Sequence, residues 1–452
     1  MKTGILLAAG AALLLQTGIA QASTASTAAP SISALPYQSA NLPTAPQVQS
    51  FYATWRYAPI WFRSGSVSPA ASDLVAVLQR SSLDGLNGGP EIASVVQQAV
   101  QRASTGDPAA VAYAEHTLSE ALVLYAQTMK QPVPGMTYGY GFLMPRPVQP
   151  AEVLLGASVA PSLQAYVQQL ANPNTIYTSI RDAAWSQMQA SGTTVPDPRV
   201  VANLDRARGM PAKGRFVMVN AATQMLYMYQ DGVPVGSMKV VVGDNGQFLK
   251  NRPDTRTPLI TSMMYYVIHN PYWNSSDTLT RLNIAPRYAA EGDKYFKARG
   301  FKVMSDWSAD AKVIPTSQVD WKGVRAGKVS IRIRQDPGPD NFMGQLKFPF
   351  ANPQDIYLHD TDPGDRDLFA LSQRTRSNGC IRLENAPLLA HWLIGHDPLK
   401  TDQPEYAEQL AQPVPIFVTY LTAQPQDGQL TFVKDVYGMD PTTSTTRVAS
   451  GK

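Results

Sequence analysis

The fold class is decided by residues 215–242, RFVMVNAATQMLYMYQDGVPVGSMKVVV. Here the chain adopts the period of two that is typical of β-strands, and residues 216–219 and 225–229 are predicted strands. Asp231-Gly232 is a turn signal that leads into residues 233–242, so the stretch predicts a β-hairpin. Further strands are predicted at residues 259–269, 329–334, 356–359, 415–421 and 429–433. Many short strands joined by Gly/Pro turns predict a sandwich-like or barrel-like sheet domain.

The first half of the chain has a different pattern. From about residue 48 to residue 188, apolar residues such as Leu74, Val77 and Leu78 recur near the helical period of 3.6. The chain is therefore predicted to be α+β, with a helical region followed by a mainly β, sandwich-like domain. The predicted divisions are a signal peptide at 1–22, a flexible leader at 23–46, a helical scaffold domain at 47–190, a catalytic domain at 200–440 and a disordered tail at 441–452. A more helical, charged insertion at about 284–321 is interpreted as a lid over a cleft, with a plain surface excursion as the alternative.

The N-terminus predicts export. Lys2, an apolar run that ends at Leu15, and Ala20-Gln21-Ala22 are typical of a cleaved secretory signal, and an uncleaved anchor is the alternative. The apolar run is too short to span a bilayer, and no later run of about 20 apolar residues follows it. We therefore expect a periplasmic protein without a transmembrane segment after signal cleavage. The formal net charge of +4 on 452 residues gives no reason to expect a nucleic-acid partner.

Cys380 is the single cysteine of the chain, so no internal disulfide can form. An exported lone thiol is a partner for another chain, a buried bystander or a nucleophile. Its surroundings favour the nucleophile, because Gly379 allows a tight turn and nearby arginines favour a thiolate. These arginines are Arg374, Arg376 and Arg382. A helix predicted to begin after Asn385 would add its dipole to this effect.

A nucleophilic thiol needs a base, and the chain has five histidines: His116, His269, His359, His391 and His396. His359 closes a predicted strand 21 residues before Cys380 and precedes a turn, which makes it the best-placed general base. His269 could line a cleft, and the other three fit packing or surface roles. One cysteine and scattered histidines do not form a zinc site, and no nucleotide-binding loop is present. We therefore expect neither metal nor cofactor.

Two ordered segments now carry a resemblance to a known family. Residues 357–361 (YLHDT) and 377–385 (SNGCIRLEN) resemble the signature of the L,D-transpeptidase (YkuD) catalytic domain. Several further segments resemble the YcbB-like branch of that family and its helical scaffold region: residues 51–52, 59–61, 84–86, 203–208, 257–258, 270–273, 334–339 and 435–438, with Asn341, Gly344, Lys347 and Phe348. The resemblance therefore covers most of the mature chain.

The resemblance implies a peptidoglycan cross-linking enzyme. Cys380 would attack residue three of a donor stem peptide and form a thioester, which an amine of an acceptor stem then resolves. His359 would be the general base and acid, and the backbone carbonyl of Asp360 would orient its ring. The N–H groups of Gly379 and Cys380 would form the oxyanion hole. The main expected product is a link between the third residues of two stems. A link from residue one to residue three, or attachment of a protein to the wall, is left open.

Substrate binding is assigned by the same resemblance and by proximity to the two segments. The predicted substrate-binding residues are Arg382, Ser377, Asn378, Tyr357, Arg334, Asn341 and Trp273. For each, a structural role is the alternative. Asn378 stands where the family usually has histidine, which puts local tuning of the thiol in doubt. The peptidoglycan-binding domain inserted in many YcbB-like enzymes is expected to be missing or reduced.

Two other functions remain open at this stage. An L,D-carboxypeptidase or amidase-type hydrolase would use the same thioester but resolve it with water. A non-catalytic wall-binding protein would keep the fold without the reaction.

Overall fold

The computed structural model describes residues 40–442 apart from residue 57, residues 249–253 and residue 309. The predicted signal peptide, most of the predicted leader and most of the predicted tail lie outside the described residues. Within the described part of the chain, no helix is both long enough and apolar enough to cross a bilayer.

Residues 45–208 form eight helices, which confirms the predicted helical region. They are α1 (Ala45–Thr54), α2 (Ala70–Arg80), α3 (Gly89–Ala103), α4 (Pro108–Met129), α5 (Pro150–Val159), α6 (Leu163–Ala171), α7 (Thr175–Ser191) and α8 (Pro198–Arg208). Side-chain caps fix their starts: Asp107 accepts a hydrogen bond from the Ala110 N–H at 2.9 Å, and Asn174 accepts one from the Tyr177 N–H at 2.8 Å. Gly192 follows α7 at a φ of 68°, a left-handed conformation that ends helices.

The second half is mainly β, as predicted, and its largest sheet closes on itself. The strands of this barrel are β2 (Arg215–Asn220), β3 (Met225–Gln230), β4 (Val233–Gly243), β5 (Ile260–His269), β10 (Leu346–Pro349), β11 (Tyr357–His359), β13 (Ile381–Leu383) and β14 (Tyr406–Thr419). Neighbours follow the order β5, β10, β11, β13, β4, β3, β2, β14, and β14 pairs again with β5. The predicted hairpin is present as β2, β3 and β4. Closure removes the exposed edges of the sheet and leaves an interior filled by apolar side chains.

Two short strands extend the barrel, and a hairpin and a helix pack beside it. β1 (Thr137–Tyr138) comes from the loop after α4 and pairs in parallel with β5, and β12 (Thr375–Ser377) pairs in parallel with β4. β15 (Ala423–Gln426) and β16 (Gln429–Phe432) form a separate hairpin that contacts α7. Helix α13 (Ala386–Ile394) covers the barrel with Leu389 and Leu393.

An insertion with its own core leaves the barrel after β5 and returns at β10. It contains β6 (Trp273–Asn274), α9 (Asp277–Leu279), a π-helical turn (Thr280–Ile284), α10 (Ala285–Glu291), α11 (Asp293–Arg299), β7 (Phe301–Met304), β8 (Val313–Ile314), α12 (Trp321–Arg325) and β9 (Arg332–Gln335). Its sheet has the order β6, β9, β7, β8. Because β6 pairs with β9, the unit extends on both sides of the predicted 284–321 segment.

Candidate active site

Alternation along two strands brings the predicted catalytic side chains to one face. Strands β11 and β13 are parallel, with Leu358 opposite Ile381 and His359 opposite Arg382. Leu358 and Ile381 point into the barrel core, so His359 and Arg382 face outward. Cys380 immediately precedes β13 and is a diagonal neighbour of His359, a relation that places Cα atoms roughly 7–8 Å apart.

This outer face is the floor of a cleft of about 1260 Å³ between the barrel and the insertion. The barrel contributes Cys380 and His359, and the insertion contributes residues such as Asn283 and Trp307 from the opposite side. Of the five histidines, all of them within the described residues, His359 alone lines this cleft. The insertion therefore covers the site, which is the position expected of the predicted lid.

The His359 ring is fixed by one backbone contact. Nδ1 lies 2.6 Å from the carbonyl oxygen of Asp360, and because a carbonyl only accepts, Nδ1 carries the proton. Nε2 is then left as the acceptor nitrogen. The Asp360 carboxylate points elsewhere and accepts hydrogen bonds from the Gln345 N–H at 3.0 Å and from Arg366 at 2.9 Å. This is the carbonyl contact that the family resemblance implies.

Both reacting groups are neutral at rest. Burial, reinforced by the positive charges of Arg382 and Lys347, lowers the pKa of His359 to about 3. Burial also raises the pKa of the Cys380 thiol, although hydrogen bonds from the Tyr357 backbone and hydroxyl and the same two cations oppose this rise. The sequence suggested a thiolate favoured by nearby arginines and a helix dipole. Desolvation outweighs that effect, so the resting pair is a thiol and a neutral imidazole.

The helix and the other two arginines do not act on the thiol. Strand β13 separates Cys380 from the start of α13. Arg374 is buried and donates to backbone carbonyls, including that of Val240 at 3.2 Å. The Arg376 guanidinium lies 3.3 Å from the ring centroid of Phe248. Of the three arginines, Arg382 alone lines the cleft.

The loop before the thiol is held by its own hydrogen bonds. The Ser377 hydroxyl donates to the Cys380 carbonyl at 2.6 Å and accepts from the Gly379 N–H at 3.1 Å. The Gly379 N–H is therefore already bonded in this structure, and its predicted oxyanion-hole role stays a prediction. Gly379 also supplies a φ of 116°, and a Cβ there would lie 3.0 Å from Ile356 Cδ1. Ser377 lines the cleft but is buried and holds the loop, and its predicted contact with substrate stays a prediction.

Two predicted substrate-binding residues lie outside the cleft lining. Asn341 is 1% exposed and joins the two ends of the insertion through hydrogen bonds to Pro271 O at 3.1 Å and Asp336 O at 2.9 Å. The Arg334 guanidinium lies over the ring of Tyr272, 4.3 Å from its centroid. Sequence alone could not orient either side chain, because the pairing of β6 with β9 sets both directions.

The other predicted residues do line the cleft. Arg382 is anchored by an ion pair with Asp365, in the 3₁₀ segment Pro363–Ala370. Tyr357 lies beside the thiol, and Asn378 is exposed at the cleft. Trp273 reaches the cleft but is mostly buried in the insertion core, where it stacks on Phe301.

Three cleft residues were missed or given little weight by the sequence. Lys347 lies opposite His359 in the β10–β11 pair, and its Nζ is 4.8 Å from the Tyr357 ring centroid. Strand alternation could have found it once the pairing was known. Arg287 and Arg332 also line the cleft from the insertion, and no sequence signal separates them from other surface arginines. Within the described residues, no group of three or more His, Cys, Asp or Glu side chains could hold a metal ion.

The fold and the site combine a helical region, a closed β barrel and a cleft with one thiol and one imidazole. Residues 214–416 match the family model of the L,D-transpeptidase catalytic domain, YkuD, and residues 46–183 match the Scaffold domain. The chain therefore combines an L,D-transpeptidase (YkuD) catalytic domain with a Scaffold domain. Both predicted resemblances are confirmed.

One relative and one of two similar solved structures are described as L,D-transpeptidases. A Haemophilus influenzae protein named "Putative L,D-transpeptidase" is 24% identical over 408 residues, which cover 87% of this chain and 78% of that protein. A solved L,D-transpeptidase from Xylanimonas cellulosilytica is 15% identical over 52% of this chain and 78% of its own, with a TM-score of 0.21. The Ldtfm–avibactam carbamoyl enzyme is 13% identical over 46% of this chain, with a TM-score of 0.21, and this chain spans about half (49%) of its length.

Proposed function

We propose that this protein cross-links peptidoglycan stem peptides through a thioester on Cys380. The observation that carries the proposal is the placement of one thiol and one imidazole on the same face of two adjacent strands, at the floor of a cleft. The Asp360 carbonyl leaves Nε2 of His359 as the nitrogen that can accept the thiol proton. A positioned nucleophile and base of this kind divide acyl transfer into two lower barriers.

In the proposed first half-reaction, Nε2 of His359 accepts the thiol proton as Sγ of Cys380 attacks the carbonyl of the third stem residue. A C–S bond forms and the carbonyl oxygen becomes an oxyanion. Collapse of this intermediate breaks the C–N bond to the terminal D-Ala, whose amine takes the proton back from Nε2. The products are a thioester and free D-Ala.

In the second half-reaction an acceptor amine attacks the thioester. Its proton passes to Nε2, the C–S bond breaks, and the sulfur recovers the proton as the thiol. A link from residue three to residue three is the first expectation, and a 1–3 link uses the same chemistry with another donor.

The electrostatics act in opposite directions on the two proton transfers, because a low pKa of His359 opposes the first transfer to Nε2 and favours the second transfer from it. Because burial and two cations lower the pKa of His359 to about 3, the imidazolium holds its proton weakly and yields it readily to a leaving amine. The charges of Lys347 and Arg382 oppose the imidazolium but favour an oxyanion formed close to them. The Cys380 N–H stays a proposed oxyanion donor.

The cleft also suits an anionic peptide. Within the described part of the chain, Arg287, Arg332 and Lys347 line the cleft and form no ion pair. Stem peptides carry several carboxylates, and fixed cations recognise such groups by charge-assisted hydrogen bonds. We propose donor and acceptor stems as the occupants.

Mass spectrometry of products from disaccharide-tetrapeptide monomers tests the reaction. We expect cross-linked dimers and released D-Ala, with both lost in Cys380→Ala and kept in His391→Ala, a change at an exposed histidine outside the cleft. Fragmentation of the dimers separates 3–3 from 1–3 links. Tripeptide monomers without dimers would identify a hydrolase instead. Intact substrate, together with a Cys380 thiol that a thiol-reactive probe does not label, would identify a wall-binding protein.

We also propose that residues 1–22 direct export to the periplasm. The support is the sequence pattern described above. N-terminal sequencing of the protein recovered from the periplasm should begin at Ser23, and recovery of uncleaved protein from membranes would contradict this proposal.

A further inference from the structure

An exposed aromatic surface lies outside the catalytic cleft. The rings of Tyr140 and Phe142 stack with centroids 5.4 Å apart, and Tyr140 meets Tyr265 edge to face at 5.8 Å. Phe142 is 71% exposed, the highest value for an aromatic side chain among the described residues, and neighbouring Met144 is 52% exposed. We call Tyr140, Phe142, Met144 and Tyr265 the aromatic platform. Exposed apolar groups of this kind mark interaction sites.

The aromatic platform is held rigidly against the barrel. The residues before it pair with β5, through the hydrogen bonds Thr137 N to Leu259 O and Gly139 N to Thr261 O, both 2.9 Å. A Cβ at Gly139 would lie 2.1 Å from the carbonyl oxygen of Ala351, so only glycine fits there. The segment therefore lies directly on residues 350–352, which also line the cleft.

One loop connects the aromatic platform to the thiol. Thr137 contacts Gln354, with 3.5 Å between the side-chain oxygen and nitrogen. The next residue, Asp355, accepts a hydrogen bond from the Cys380 thiol through its carbonyl, at 3.7 Å. From Ala351 to Asp355 the chain can span at most about 14 Å. The segment that leads into the aromatic platform thus contacts the rim of the cleft through Thr137 and Gly139.

We infer that the aromatic platform binds the glycan strand whose stem peptide enters the cleft, an inference that rests on the proposed function. The C–H face of a pyranose ring packs on the face of an exposed aromatic ring, which supplies apolar contact while the sugar hydroxyls stay in water. A stem of three residues spans on the order of 10 Å when extended. The sugars that carry a donor stem therefore lie close to the cleft rim, where Ala351 and Gln354 contact the segment before the aromatic platform.

The surroundings of the aromatic platform favour a sugar over a lipid surface. The patch is a few rings wide, and Arg146 and Glu152 follow it closely in the chain as an exposed ion pair, with 81% and 42% exposure. A membrane would require a broader apolar surface or a cluster of cations. An isolated ring pair with polar neighbours is suited to a polar polymer with apolar faces.

Binding to peptide-free glycan strands, prepared by amidase digestion of peptidoglycan, tests the inference without any catalytic step. With the full-length protein, Phe142→Ala should weaken binding about tenfold, the usual cost of losing a central aromatic contact. Phe142→Tyr keeps the ring face and should bind as the unchanged protein does. Val195→Ala, which removes an equally exposed apolar side chain between α7 and α8 (73% exposed), is the matched control.

A rate comparison then ties the aromatic platform to the cleft. The ratio of the rate on glycan-linked stems to the rate on glycan-free tetrapeptide should fall about tenfold in Phe142→Ala. Unchanged glycan binding in Phe142→Ala would overturn the inference. A change in self-association or in vesicle binding, without a change in glycan binding, would assign the aromatic platform to another partner and would overturn it too. If glycan binding depends on Phe142 but no cross-links form on any substrate, the proposed function fails and the inference stands.

Discussion

At the scale of single residues, the site depends on burial more than on formal charge. His359 and Cys380 sit among Arg382, Lys347 and Tyr357, yet desolvation sets the direction of both pKa shifts. A neutral pair avoids the cost of holding two unsolvated charges before substrate arrives. In the proposed reaction, the proton moves only when an acyl carbon is in place to accept the sulfur.

The first prediction concerns His359 and acid stability. Its folded pKa of about 3 lies below the ordinary value of 6.5, so the unfolded chain takes up the proton first as the pH falls. Stability is therefore lost progressively from pH 6.5 towards pH 3, and the loss between pH 7 and pH 5 should be roughly 2 kcal/mol from this residue. In His359→Gln that part of the loss should be absent.

Denaturant unfolding at pH 7 and pH 5 measures this difference for each variant. Comparing two pH values within one variant removes any pH-independent effect of the substitution. His391→Gln, at an exposed position, should lose as much stability as the unchanged protein. An equal acid loss in His359→Gln would mean that the imidazole is not buried in the neutral form.

The second prediction concerns Gly379. Alanine there must adopt a φ of 116° and place its Cβ 3.0 Å from Ile356 Cδ1. We expect Gly379→Ala to lose about 1–3 kcal/mol of stability, and to slow alkylation and acyl transfer at Cys380 because the Ser377 hydrogen bonds that hold the loop are displaced. Gly209→Ala, which has open space and an ordinary φ of −78°, should leave both rates unchanged.

At the scale of elements, strand alternation could be read from the sequence, but strand pairing could not. The sequence predicted a strand that ends at His359, but the face that His359 shares with Cys380 follows only from the pairing of β11 with β13. The extent of the insertion was not predictable, because Trp273 pairs with Gln335 across 62 positions. The orientation of Arg334 and Asn341 depends on that pairing, so both were assigned to the wrong surface. The hydrogen bond of the Gly379 N–H could not be predicted from the sequence either, because it depends on the geometry of the loop.

The third prediction concerns the base of the insertion. Asn341 donates to the carbonyls of Pro271 and Asp336 and accepts from the Met343 N–H at 2.7 Å. Because these groups are buried, Asn341→Ala should cost about 2–3 kcal/mol. Amide exchange should accelerate in residues 273–335 and stay unchanged in residues 216–242.

The control for this experiment lies within the same unit. Ser330→Ala removes one exposed hydrogen bond to Asp277, and it should leave amide exchange across the insertion unaltered. Equal acceleration in the insertion and in the barrel would show that Asn341 stabilises the whole fold and does not hold the insertion specifically.

At the scale of the whole molecule, the Scaffold domain and the barrel share one apolar core. Phe216 and Phe417 of the barrel meet edge to face at 5.7 Å within the cluster that also contains the scaffold helices. Arg208 of α8, a helix that lies between the two matched domains in the chain, donates to the carbonyl of Thr128 at 2.7 Å and ties α8 to α4. The cleft is therefore carried on a single packed body, which keeps the aromatic platform and the thiol in a fixed relation.

The fourth prediction tests this coupling at Arg206. Its guanidinium forms a buried ion pair with Asp440 at 2.8 Å, with side chains 9% and 6% exposed, and also donates to the Tyr420 carbonyl at 3.1 Å. Arg206→Ala leaves a buried carboxylate without its counter-charge, so the free energy of unfolding should fall by about 3–5 kcal/mol. Arg146→Ala removes an ion pair whose side chains are 81% and 42% exposed, and it should cost less than about 1 kcal/mol.

Two further results are expected for Arg206. Asp440→Asn should restore part of the loss in the double variant, because it removes the unpaired carboxylate. Hydrogen exchange in Arg206→Ala should rise in both domains together, because Arg206 joins α8 to the end of the barrel. A loss as small as that of Arg146→Ala, or exchange that rises in only one domain, would mean that the two domains are stabilised independently.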